Sequence, residues 1–94
     1  MKATINGKRY DTSRCESLCS HNHYNGGNYS GTTTLMRAKD GVYLIHVDTN
    51  GQDLWLSDSL DAWDPAEHPI SFFQGVSDEQ EVRLAELGLV EIVE

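Results

Sequence analysis

The sequence predicts an α+β fold of the ferredoxin-like, split βαβ kind: an antiparallel sheet with two helices on one face and a variable insertion. Three observations carry that expectation. Two capping-box patterns open short helical segments, two strand patterns meet at Asp40-Gly41, and the chain begins and ends in segments of strand character. At 94 residues the chain makes one domain, residues 1–94, of a size that buries about 60–70% of its unfolded surface.

Thr4-Ile5 and Arg9-Tyr10 flank Asn6-Gly7, a pair that accepts positive φ at both central turn positions, so a strand or tight hairpin opens the chain. Asp11, Thr12 and Ser13 then offer capping oxygens, and Ser13 and Glu16 fit a capping box. Cys15, Leu18 and Cys19 fall on one stripe at helical spacing, which predicts a short helix over residues 12–20. Residues 21–31 are rich in Gly and Asn and lack apolar periodicity, so they read as a flexible surface loop anchored by two tyrosines.

Residues 32–38 and 42–48 read as strands joined by a two-residue turn at Asp40-Gly41. In the second of them Tyr43, Ile45 and Val47 share one face, expected to be the core face, and Val42, Leu44, His46 and Asp48 share the other. Asn50-Gly51 signals another turn, followed by a third short strand over 53–56. Residues 57–63 form a helical turn that Pro65 stops, and Pro69, Ile70, Phe72 and Phe73 return an extended segment to the core. Ser77 and Gln80 make the second capping box, Asp78 and Glu79 suit the positive end of the helix dipole, and Gly88 fits the residue after the C-cap; a helix over 78–87 follows. The alternation of residues 89–93 predicts a closing strand.

Apolar residues are 38% of the chain and charged residues 23%, enough for a folded domain with a thin core. The longest apolar runs are far short of the roughly 20 residues that span a bilayer, and residues 1–7 lack the apolar stretch of a secretory signal, so the cytoplasm is the expected compartment. Two cysteines four residues apart read as reduced thiols. The net charge of −8 is unevenly placed. Residues 1–39 hold six Lys/Arg against Asp11 and Glu16, a net +4, while residues 40–94 hold thirteen carboxylates against Arg83 alone, a net −12. A polyanionic half repels nucleic acid and attracts basic surfaces, so no direct nucleic-acid binding is expected.

Within that half Asp58, Asp61 and Asp64 recur every three residues; on a helix they would stack along one side at about 4.5 Å per step, with Glu67 extending the acidic surface. Trp55 and Trp63 lie among them, and aromatic side chains beside charges are frequent interface anchors. The plainer reading is that these acids solvate a small domain whose core the tryptophans fill.

Cys15, Cys19, His21 and His23 supply four zinc-type ligands within nine residues, the basis of a zinc-binding adaptor reading, although the spacing fits no common knuckle and core thiols are the plainer account. Residues 48–53 resemble half of a calcium loop but place Gly at the fourth position rather than the sixth. His46 with Asp48 is the one tempting catalytic pair, and as strand residues they need no such explanation. No Gly-rich phosphate loop, HExxH motif or basic stripe interleaved with aromatics is present, so the expectation is a non-enzyme without cofactor.

The opening Ile5-Asn6-Gly7-Lys8-Arg9-Tyr10-Asp11-Thr12 resembles the Ile-Asn-Gly-Lys-x-Tyr-Asp-Thr start of small proteins of phages and mobile elements, a group that includes some type I anti-CRISPR proteins. Residues 35–46, Leu-Met-Arg-Ala-Lys-Asp-Gly-Val-Tyr-Leu-Ile-His, are similar to that group's centre, and Val76-Ser77-Asp78-Glu79 to its late capped helix. Cys15 and Glu81 stand where the group has Ala, and residues 51–67 have no fixed counterpart. The resemblance implies a monomeric inhibitor of a bacterial type I CRISPR surveillance complex, acting in the bacterial host cytoplasm on a subunit with a basic groove. A DNA-mimicking surface would then consist of Asp58, Asp61, Asp64, Glu67, Asp78, Glu79 and Glu81 with Trp63, engaging cations that otherwise neutralise phosphates. The alternative is a phage accessory or structural protein whose acidity only secures solubility.

Overall fold

The computed structural model describes residues 1–49, 58–73 and 76–91, the Asn25 side chain apart. Asn6 and Gly7 take φ of 52° and 77°, the paired left-handed conformation of a tight hairpin turn, and close β1 (Lys2–Ile5) on β2 (Lys8–Asp11). Gly26 and Gly27 do the same at φ of 61° and 86°, joining β3 (Glu16–Asn25) to β4 (Asn28–Arg37). β5 (Tyr43–Asp48) and β6 (Ser59–Ala62) complete an antiparallel sheet in the order β3-β4-β5-β6, beside the separate β1-β2 ribbon.

The single α-helix among the described residues is α1 (Asp78–Glu86). Its two-way capping box is formed: the Gln80 amide donates to Ser77 Oγ at 3.3 Å and the Ser77 amide to Gln80 Oε1 at 3.0 Å. This architecture is mostly β, so the ferredoxin-like arrangement with two helices on one face is overturned.

The first expected helix is the reason. Only Thr12–Arg14 forms a helical turn, of the 3-10 type, capped by Asp11; from Glu16 the chain is extended. A bulge in β3 between Ser17 and Cys19 turns the adjacent Leu18 and Cys19 to the same interior, each 1% exposed. Two consecutive inward side chains are what helical spacing also predicts. Cys15, which completed that stripe, packs on the other side of the sheet.

The loop expected over 21–31 is also strand, reaching beyond the core as a polar ribbon. Its pairing is His21 with Thr33, His23 with Gly31 and Tyr24 with Tyr29, and Thr32 Oγ1 donates to Asn22 Oδ1 at 3.0 Å across the strands. Tyr24 and Tyr29 meet edge-on at 6.3 Å, both exposed.

Residues 57–63 were expected as a helical turn, yet Ser59–Ala62 pairs with β5, and one inward residue, Leu60, gives so short a strand little pattern to read. Ile70–Phe72 is a 3-10 turn rather than extended chain, though Phe73 does reach the core. Residues 87–90 turn back from α1 and do not form the start of the expected closing strand; Leu89 and Val90 still pack inward. The turn at 50–51, the strand over 53–56 and the last residues of the closing strand lie outside the described residues.

Both faces of the four-stranded sheet are covered. On one, Leu18, Cys19, Leu35, Ile45, Phe73 and Leu84 form a core that Tyr43, Val47 and Trp63 join. On the other, Tyr10, Met36, Ala38, Leu44 and Leu60 form a second core under the β1-β2 ribbon, with Ile5 and Cys15 at its margin. The Tyr43 face is core as expected, and Leu44 opposite it is 0% exposed, because the ribbon lies over that side.

Candidate functional site

The segment from Asp58 through β6 and the turn after it, together with α1, carries the seven predicted partner-binding carboxylates, and all seven are exposed. They do not form a row. Asp61 alone lies on the extended β6, with Asp58 just before it and Asp64 at the turn that follows, so the helical stacking of the three is lost.

Two of those three have structural partners. Asp58 Oδ1 accepts from the Thr49 amide and from Thr49 Oγ1, both at 2.8 Å, and these bonds hold its carboxyl below the usual range. Asp64 Oδ1 accepts from the Ala66 amide at 3.0 Å, fixing the turn that follows β6. Trp63 is an internal strut rather than a free anchor: half-buried, it donates from Nε1 to the His68 carbonyl at 2.8 Å and meets Tyr43 edge-on at 5.7 Å.

Asp78, Glu79 and Glu81 sit in the first turn of α1, where the dipole favours negative charge. α1 packs against β3, and β3 and β6 are the two edges of the sheet. Three inter-strand steps of about 4.8 Å put these edges about 14 Å apart, so the acidic surface is divided into two groups. Arg83, the only cation of the acidic half, lies between Glu16 (2.8 and 2.9 Å, bidentate) and Glu86 (3.2 Å) and pins α1 to β3. The Arg83 guanidinium holds the Glu16 carboxyl below its ordinary range.

The fold does join Asp61 and Glu67 at a cleft of about 230 Å³ that His23, His68, Thr33 and Ser59 also line. Behind it the Phe72 ring meets His21, His68 and His23 at centroid distances of 4.7, 5.3 and 6.2 Å. His23 Nε2 is hydrogen-bonded to Thr33 Oγ1. Period two was the available signal for His21 and His23, which share a strand face, but the Gly- and Asn-rich surroundings obscured it.

The four residues of the zinc reading are not gathered. Cys15 lies beneath the ribbon and Cys19 in the opposite core, where burial pushes its thiol up to about 11. Among the described residues no group of three or more His, Cys, Asp or Glu side chains is placed to hold a metal ion. No helix among them is long and apolar enough to cross a membrane.

A second, wider concavity lies at the other end of the charge distribution. Lys2, Lys8, Arg9, Arg14 and Lys39 surround a groove of about 500 Å³, with Tyr10, Cys15 and Ala38 beneath them. Sequence reasoning counted these cations without placing them together; only the hairpin and the β4–β5 turn do so. Comparison with protein families, with curated proteins and with solved structures finds no match for this chain.

Proposed function

We propose that this protein is a non-catalytic, stoichiometric inhibitor of a nucleic-acid-binding complex, a bacterial type I CRISPR surveillance complex being the partner its sequence resemblance implies. The observation that carries the reading is the concentration of charge. Thirteen carboxylates stand against one Lys/Arg in residues 40–94, and that cation, Arg83, is already bound by two carboxylates, so this half supplies no spare cation of its own. Such a surface associates with basic ones through long-range attraction and counterion release.

The geometry alters the mechanism expected from a stacked helical row. Two acidic groups on opposite sheet edges suit a partner surface that presents cations on both sides of a groove. Of the seven carboxylates, Asp61, Glu67, Asp78, Glu79 and Glu81 face solvent free of the turn and strand contacts that engage Asp58 and Asp64, and they are assigned the partner contacts. Purified type I surveillance complexes provide the test, in a pull-down at low and high salt followed by competition with target DNA. Salt-sensitive capture that excludes DNA is expected. Failure to bind any such complex at either salt removes the proposal, and capture without DNA exclusion removes the mimicry.

A further inference from the structure

We propose that the groove between the β1-β2 ribbon and the β4–β5 turn is a binding site for a ligand bearing adjacent phosphate groups. The proposal is independent of the inhibitor reading. Five cations from four separate places in the chain line it: Lys2 on β1, Lys8 and Arg9 on β2, Arg14 at the end of the 3-10 turn, and Lys39 in the β4–β5 turn. Four of them come from the ribbon and the turn after it and Lys39 from a remote turn that the fold brings beside them, which makes this an assembled feature rather than a run of basic residues.

Two carboxylates also line the groove, and each has other work. Asp11 Oδ1 accepts from the Ser13 amide at 3.0 Å and from Ser13 Oγ at 2.8 Å. Asp40 accepts from the Val42 amide at 3.2 Å and the Tyr10 hydroxyl at 3.0 Å, with Lys8 Nζ at 3.6 Å. Lys8 is thereby positioned, while Lys2, Arg9, Arg14 and Lys39 make no ion pair within 4 Å among the described residues. Five cations against two carboxylates leave a net +3 inside about 500 Å³, in a protein whose total charge is −8.

Charge density selects the ligand class. A carboxylate brings one negative charge, whereas a terminal phosphate brings about 1.5 to 2 with three acceptor oxygens, so adjacent phosphates balance the groove within its volume. Arg9 and Arg14 add forked donors that match phosphate oxygens two at a time. Tyr10 is only 8% exposed and donates to Asp40, so no aromatic face is offered to a base and recognition is confined to the phosphates. Screening by salt keeps that attraction local, within a Debye length of about 8 Å at physiological ionic strength.

Titration of the isotope-labelled protein by NMR, with tripolyphosphate, with a short oligothymidylate and with hexaglutamate, tests the assignment. Saturable shifts confined to residues 2–15 and 38–42 are expected with at least one phosphate probe. Tripolyphosphate alone identifies a free polyphosphate, and the oligonucleotide alone identifies a strand backbone. The triple variant R9A/R14A/K39A, all three side chains exposed, should weaken binding by about a thousandfold if each lost contact contributes close to tenfold. Absence of groove shifts with both phosphate probes, or hexaglutamate binding as tightly as either, overturns the proposal.

Discussion

Five of the six cations of residues 1–39 line one groove, whereas the seven carboxylates between residues 58 and 81 are divided between the β6 segment at one edge of the sheet and α1 against the other. The acidic half has three times the net charge of the basic half and the lower local order of it. Summed charge therefore says which partners are attracted over distance, and the fold says where charge is concentrated enough to hold one. The difference originates in topology: a hairpin folded over a sheet brings remote residues together, while an edge strand and a helix on the far edge keep theirs apart.

That comparison depends on both sheet faces being core, one beneath the basic ribbon and one beneath α1. Leu44→Ala and Leu35→Ala, each at a fully buried position on opposite faces, should both cost about 2–5 kcal/mol in denaturant unfolding. A near-neutral Leu44→Ala would leave the ribbon undocked and the groove without its floor.

Gly31 holds β4 against the end of β5: a Cβ there would lie 2.6 Å from the Asp48 carbonyl oxygen. Gly31→Ala is expected to destabilise by about 1–3 kcal/mol, since backbone must shift to accommodate it. Ser77→Ala removes the N-cap of α1 and should cost about 1 kcal/mol; helix amide exchange should rise while the groove amides stay unchanged, which separates the two ends of the molecule.

Acid should weaken both ends together. Asp11 and Asp40 at the groove and Glu16 and Asp58 elsewhere all have carboxyls held below their ordinary range, chiefly by hydrogen bonds. A depressed folded pKa contributes stability above the unfolded value of about 4 and loses it as pH falls through the folded value. Thermal melts should thus be level near neutrality and fall below about pH 4, with a shallower fall in Asp58→Asn. A melting temperature that climbs on acidification would mean that repulsion within the acidic half outweighs these bonds.

Smallest of all is the expected stability effect of neutralising Asp61, Glu67, Asp78, Glu79 and Glu81, about 0.5 kcal/mol or less for each in thermal or chemical unfolding. A loss of several kcal/mol at any one of them would show that it is structural and not available to a partner.

Short-range chemistry was legible in the sequence. The Asn6-Gly7 turn and the Ser77 capping box are each set by two to four neighbouring residues, and each is present; the hairpin expected at Asp40-Gly41 forms too, but its turn centres on Lys39-Asp40, with Gly41 at φ 90° after it, rather than on Asp40-Gly41. What misled were patterns two structures share. The β3 bulge gives Leu18 and Cys19 the spacing of a helix, and polar residues on a ribbon that outreaches its core look like a loop. Asp58, Asp61 and Asp64 have helical spacing, but only Asp61 lies on β6, a strand that carries one inward side chain, and the other two flank it. The groove was illegible for another reason: it is assembled from residues up to 37 positions apart in the chain, from Lys2 to Lys39, and no local pattern encodes that meeting.

Two variants compared in one capture experiment with a purified type I surveillance complex decide whether the acidic surface, rather than the basic groove, contacts the protein partner. D61N/E67Q/D78N/E79Q/E81Q should lose capture at physiological salt, while R9A/R14A/K39A retains it. Retention by the first variant together with loss by the second would move the partner site from the acidic surface to the groove.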